Sequence, residues 1–200
     1  MPQPFNDAII TDRGAALLAR VESSAARLEI TKVVVGDGTY PAAEKEPASL
    51  RGKTALKHQR NVYAPSSVTI TAENAIKIAT LISNVDPVTG EALVDRGYYI
   101  NEIGVYAKEY GGAASTECLY CIAVTAGSTG DYMPAYLGGG AAQIVQDIYL
   151  TVGNAATTYV NIAGAAYLAS DAAILLARVA ALEDLGLTVV DGKINATYNT

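Results

Sequence analysis

The chain contains no tryptophan, one phenylalanine, one histidine, two cysteines and two methionines in 200 residues. One histidine and two cysteines cannot by themselves supply the four ligands of a closed zinc site. A histidine base for any catalytic triad would have to be His58. That residue sits among Lys57 and Arg60, neighbouring cations that disfavour its protonated form, and its local sequence offers no carboxylate to orient the ring. It reads as a solvated histidine on a short helix running from Ser49 to about Gln59. Cys118 and Cys121 lie in "ECLYCIAV", whose alternation reads as a strand and puts residues three apart on opposite faces. No disulfide is expected between them, and synthesis in a reducing cytoplasm fits.

Long apolar runs are also missing. No window approaches the ~20 residues that span a bilayer, and "MPQPFNDAIITDRG" shows no basic segment leading into an apolar one, so neither membrane insertion nor a signal peptide is expected. Basic residues are outnumbered, 14 Lys and Arg against 20 Asp and Glu, for a net charge of -6. That balance gives no whole-chain attraction to nucleic acid.

What is abundant is core material: half of the residues are hydrophobic, and 13 tyrosines dominate the aromatics. "TDRGAALLARVES" reads as a helix from Thr11 to Ser23, capped by Thr11 or Asp12, with Leu17, Leu18 and Val21 on one stripe. "LEITKVVV", Leu28 to Val35, reads as a strand entering a core. "SSVTIT" and "AIKIATLI" flank "AEN" as a hairpin, and "DPVTGE" is a turn. Further strands are expected in "GYYINEIGVYAK", "ECLYCIAVTA" and "AQIVQDIYLTVG". Between the last two, Ala126 to Ala142 is rich in glycine and reads as a long loop that makes contacts only when another chain covers it.

Composition changes near Gly164. From Ala165 to Asp184 the sequence favours helix, and Leu168, Ala172, Leu175, Val179 and Leu182 recur at alternating spacings of four and three, the seam of a short coiled coil. A helix of about twenty residues is marginal alone, so self-association would stabilise it; packing back on its own domain is the other reading. In "LTVVDGKINATY", Asp191-Gly192 signals a terminal β-hairpin.

Two strings invite a phosphate-binding reading. "RGKT", Arg51 to Thr54, matches the end of a P-loop, but the required earlier glycine is replaced by Pro47. "VVVGDG", Val33 to Gly38, would need a helix directly after its glycines to present free N–H groups, whereas "TYPAAEKEP" follows. Gly36 and Gly38 are expected instead to permit positive φ where a core strand bends, with Asp37 bonding nearby amides. Glu102 lies between Ile100 and Ile103, where a carboxylate needs donors to offset desolvation. The turn amides at Gly36 to Gly38 are the expected source.

Three short patterns occur in order: the helix with Thr11 and Gly14, the strand ending in Gly36, Asp37 and Gly38, and the later strand with Glu102, Ile103 and Gly104 followed by Val105 and Tyr106. In that order and spacing the chain resembles the N-terminal, baseplate-attachment domain of tail-fibre (tail-collar fibre) proteins of contractile-tailed bacteriophages and phage tail-like particles, over about Phe5 to Val124. The resemblance implies a structural virion protein, a homotrimer joining host-recognition fibres to baseplate wedge proteins, with no catalytic residue, metal or cofactor to carry over. It also implies localisation in the virion tail after synthesis in the bacterial host cytoplasm. Many such proteins continue for hundreds of residues, whereas this sequence ends at Thr200, which makes it a short adaptor for a further tail-fibre protein or a tip that touches a host surface receptor. The expected architecture is α+β: residues 1–164 as a mostly antiparallel sheet domain with an N-terminal helix, 165–185 as an oligomerising helix, and 186–200 as a β-hairpin. A surface-glycan binder, with tyrosines as stacking faces, is the alternative.

Overall fold

The computed structural model describes residues 5–24, 26–72, 75–151, 158–160, 187–190 and 193–196. The chain divides into two compact units, Met1–Ala166 and Tyr167–Thr200. Among the described residues the fold is mixed α+β, with mostly antiparallel sheets and few helices.

In the first unit, β1 (Ile9–Ile10) leads into helix α1 (Asp12–Ser23), and β2 (Leu28–Gly36) follows. A short helix α2 (Pro47–Arg51) interrupts the next excursion, after which β3 (Gln59–Tyr63), β4 (Ser67–Ala72) and β5 (Ala75–Ser83) run in succession. The remaining strands are β6 (Tyr98–Ile100), β7 (Glu102–Glu109), β8 (Cys118–Val124), β9 (Asp131–Met133), β10 (Gln143–Thr151) and β11 (Thr158–Val160). The larger sheet has the order β1-β8-β7-β2-β11, with β3 also on β2; β10-β5-β4 form a second sheet and β6-β9 a ribbon. Among the described residues of this unit, all ladders are antiparallel except β11 on β2. In the second unit, β12 (Leu187–Val190) pairs antiparallel with β13 (Lys193–Ala196), Val190 opposite Lys193. The seam residues Leu168, Ala172, Leu175, Val179 and Leu182, with the helix expected over 165–185, lie outside the described residues.

Helix α1 begins where the composition says it should. Thr11 is the N-cap, its hydroxyl oxygen accepting from Gly14 N at 3.0 Å while the hydroxyl donates to Leu119 O. The helix buries Gly14, Leu17 and Val21. Gly14 is there for space: a Cβ would stand 2.1 Å from Tyr120 O. One face of the larger sheet, α1 and the second sheet share a core that includes Leu17, Val21, Ile30, Val33, Ile78 and Ile148. On the reverse face, Val34, Leu119, Ile122 and Val124 are covered by Tyr40, Leu50 and Leu56, all from the excursion between β2 and β3. Each of those leucines contributes about 1.5–3 kcal/mol by leaving water.

Bulges change which residues share a face. The β2–β7 register skips Thr31, so Leu28 and Ile30 meet the same core as Val33 and Val35. The β7–β8 register skips Tyr120 between Leu119 and Cys121, which resets the alternation. Cys118 and Cys121 therefore pack on the same core rather than on opposite faces, and both are free thiols.

Three further expectations are corrected. The helix predicted from Ser49 to Gln59 is only the five residues of α2, started by Pro47 and closed at Gly52; beyond it, the amides of Lys57 and His58 are bonded to a side chain and cannot join a helical ladder. The predicted strand from Gly97 to Lys108 is broken at Asn101 into β6 and β7. Ala126 to Ala142 is not a bare loop: it holds β9, which pairs with β6 and places Met133 in the core. "DPVTGE" does turn, with Asp86 Oδ1 accepting from Val88 N and Thr89 N.

Candidate functional site

The register of β2 on β7 places Gly36 opposite Glu102. Alternation along β7 turns Ile103 and Val105 into the main core, and Glu102, Gly104 and Tyr106 toward the reverse face. Glu102 is fully buried, with 0% of its surface exposed. Its carboxylate is satisfied on both oxygens: Oε1 accepts from Gly38 N at 3.1 Å and His58 N at 2.7 Å, and Oε2 from Lys57 N at 2.9 Å and the Tyr40 hydroxyl. Bonds from N–H groups to an ionised oxygen are among the stronger ones in proteins, which is how a carboxylate tolerates this burial.

Of the turn amides expected to hold Glu102, Gly38 supplies one. Lys57, His58 and Tyr40 come from farther along the excursion, and sequence reading missed them. Tyr40 is the one donor with a signal: a tyrosine two residues after the Gly-Asp-Gly turn can reach back to the strand end. Burial, followed by the adjacent Glu102 carboxylate, pushes its phenol far above the usual range, so it stays protonated as a donor. Above its ring stand the ammonium groups of Lys57 and Lys53, 4.6 and 5.7 Å from the centroid, and both bridge to Glu44.

Neither Gly36 nor Gly38 has the positive φ predicted for it; Gly90, Gly111 and Gly138 do. Both are glycine because of close approach. A Cβ on Gly36 would lie 2.4 Å from His58 O, and one on Gly38 would lie 2.5 Å from Glu102 Oε1. Gly104 serves packing in the same way, since a Cβ there would come within 2.8 Å of Leu119 Cδ1 and 3.0 Å of Leu56 Cδ2.

Asp37 does not bond the turn amides through its side chain. Its Oδ2 accepts from Arg60 Nε at 2.8 Å and Nη2 at 2.6 Å, and Oδ1 contacts His58 Nδ1. Partial burial raises the Asp37 carboxyl, but Arg60 and then His58 outweigh it and hold it below the usual range. His58 is thus a neighbour of β3 oriented by a carboxylate, not the helical residue expected. Among the described residues no Ser, Thr or Cys side chain hydrogen-bonds its ring. Asn101, also missed, ties the turn to its surroundings: its N–H donates to Gly36 O, Nδ2 donates to Asp37 O, and Oδ1 accepts from Gly130 N.

Thr11 and Gly14 stand elsewhere, on β8 through Leu119 and Tyr120. Through β8 and β7 they belong to the same sheet as Glu102. Among the described residues no group of His, Cys, Asp and Glu is placed to hold a metal, and no helix is long and apolar enough to cross a membrane. The chemistry of the Glu102 cluster is that of a clamp: one anion collects four donors from a segment that no ladder holds. The chain matches no family model, no curated protein and no solved structure.

Proposed function

We propose that this chain is a structural virion protein, a short tail fibre or baseplate-to-fibre connector of a contractile-tailed phage or phage tail-like particle. It trimerises through the seam of Leu168, Ala172, Leu175, Val179 and Leu182, ends in a hairpin, and joins a host-recognition fibre to baseplate wedge proteins. The observation that carries this reading is that the Gly-Asp-Gly and Glu-Ile-Gly motifs, 64 positions apart from Gly38 to Glu102, meet in one buried cluster. Motif residues that meet in this way specify a fold, which is what a resemblance carried by short motifs requires. Thr11 and Gly14 support it by fixing α1 to the same sheet.

Light scattering of the intact protein tests the seam. The parent is expected at three times its chain mass and the Leu175→Asp, Leu182→Asp double variant at one; monomers in both cases refute the coiled coil. Co-purification with baseplate or sheath proteins from an infected or induced lysate tests the attachment role, and gene neighbourhood separates a virus from a bacteriocin or injection machine.

A direct receptor-binding reading is favoured by one observation. Tyr99 and Tyr132 face each other across the β6–β9 ribbon with ring centroids 5.1 Å apart, and both are about half exposed. Such rings offer stacking faces to a surface glycan. Under this reading the Tyr99→Ala, Tyr132→Ala variant loses adsorption to host cells yet still trimerises; unchanged adsorption rejects it.

A further inference from the structure

The two main sheets follow one another around the first unit as β1-β8-β7-β2-β3 and then β4-β5-β10. At one seam the chain itself joins β3 to β4 through three residues, and the Tyr63 hydroxyl reaches across to Ser83 O at 2.7 Å. At the other seam, between β10 and β1, neither a ladder nor a chain connection links the sheets among the described residues. A groove of about 640 Å³ lies there, bounded by the segment from Phe5 to Ile10 on one side and five consecutive residues of β10, Gln146 to Leu150, on the other. Phe5, Ala8 and Ile10, each partly exposed, give it apolar walls, above the buried Ile103, Ala123 and Ile148.

Consecutive residues of a strand line a groove together when the strand turns its backbone edge to it. As the end strand of its sheet, β10 points alternate N–H and C=O groups away from β5. Three usual protections of an edge, a bulge, a proline and a lysine, are missing from β10, whose one charge is Asp147. The β5–β10 ladder runs nine residues without a register shift, β10 has no proline or lysine, and Val145 and Tyr149 are more than half exposed. Such an edge is a template for an added strand. The polar groups at the groove include two carboxylates, Asp7 and Asp147; Asp7 is exposed, and among the described residues the Asp147 carboxylate is paired only with Lys77, at 3.4 Å.

We infer that this open seam is a docking site for an extended segment of a partner protein, which adds a strand beside β10 and carries a lysine or arginine between apolar residues. The apolar side chains face Phe5, Ala8 and Ile10, and the cation faces Asp7 and Asp147. A second copy of this chain is a poorer occupant. Two β10 edges paired about Asp147 oppose like charges, and the sequence that follows, residues 152–160, contains no cation.

The test uses the intact protein and two nine-residue probe peptides of alternating valine and threonine, one with a central lysine and one with a central glutamate. Fluorescence anisotropy of labelled peptide is expected to show the lysine peptide binding about two- to fivefold more tightly, the scale of an exposed ion pair. In Asp147→Lys the preference reverses, and Asp7→Lys, remote from the ladder, weakens it without disturbing the fold. Hydrogen exchange is expected to show β10 amides gaining protection when the lysine peptide is added. The inference is overturned if neither peptide binds, if both bind equally, or if β10 amides become protected with rising protein concentration alone, which identifies a second copy as the occupant. Because no readout depends on the seam helix or on baseplate proteins, this outcome is independent of the connector reading.

Discussion

Replacing Glu102 by glutamine keeps shape and volume while removing the charge and converting one acceptor into a donor. In Glu102→Gln the retained oxygen can still accept from Gly38 N and His58 N, each bond falling from charged to neutral strength. The new amide NH2 meets the Lys57 N–H, which points at it from 2.9 Å in the parent and loses its acceptor. The Tyr40 hydroxyl can rotate to accept instead. A lost charged bond with an orphaned donor costs about 2–3 kcal/mol, and the two weakened bonds add roughly 1 kcal/mol. Relief of carboxylate desolvation offsets part of this, leaving a net loss of about 2–3 kcal/mol. For a chain of this size each kcal/mol moves Tm by about 2–4 °C, so a fall of about 4–12 °C is expected. Thermal melts by circular dichroism at neutral pH, with urea titration for the midpoint, measure it. A Tm within a degree of the parent refutes the view that these donors are held by a charged acceptor.

Gly38→Ala places a Cβ 2.5 Å from Glu102 Oε1 and 2.6 Å from Lys57 Cβ, an overpacking expected to cost about 1–3 kcal/mol in the same melts; a neutral result means that the turn yields freely. The Asp37 carboxyl is held low in the folded state, so its contribution is present above the unfolded value of about 3.9 and is lost as pH falls through the folded one. Asp37→Asn is therefore expected to lose roughly 1 kcal/mol at pH 7 and to converge with the parent as pH falls through the folded value, which parallel urea titrations check. The Cys121 thiol is fully buried, and burial pushes it up to about 12; a thiol reagent at pH 8 is expected to modify it only after unfolding, and prompt reaction in the native protein contradicts its burial.

Much of the first unit was legible because it obeys local rules. The Thr11 cap, the Leu17 and Val21 stripe, and the strands β2, β5, β8 and β10 are written in residues a few positions apart. The demand that Glu102 be satisfied was also readable, since burying a carboxylate in an apolar strand allows no other outcome. What escaped were effects of distance. The bulges at Thr31 and Tyr120 reset side-chain alternation without any glycine to announce them, which is why Cys118 and Cys121 were expected on opposite faces. Gly36 and Gly38 were read through backbone freedom, the usual reason for glycine in a turn, when the cause is close approach, of His58 O to Gly36 and of a carboxylate from 64 positions away to Gly38. Lys57 and His58 look like helix residues in isolation, and only Glu102 makes their amides unavailable for one.

The reverse face of the larger sheet has an unusual cover: residues 37–58 supply three side chains over Val34, Leu119, Ile122 and Val124, and no strand ladder runs through them. The Glu102 carboxylate works as a rivet for this flap. Weakening it would loosen the hold on the flap, and any opening of that cover would bare the aliphatic surface of Val34, Leu119, Ile122 and Val124, a patch that invites clumping of molecules otherwise folded.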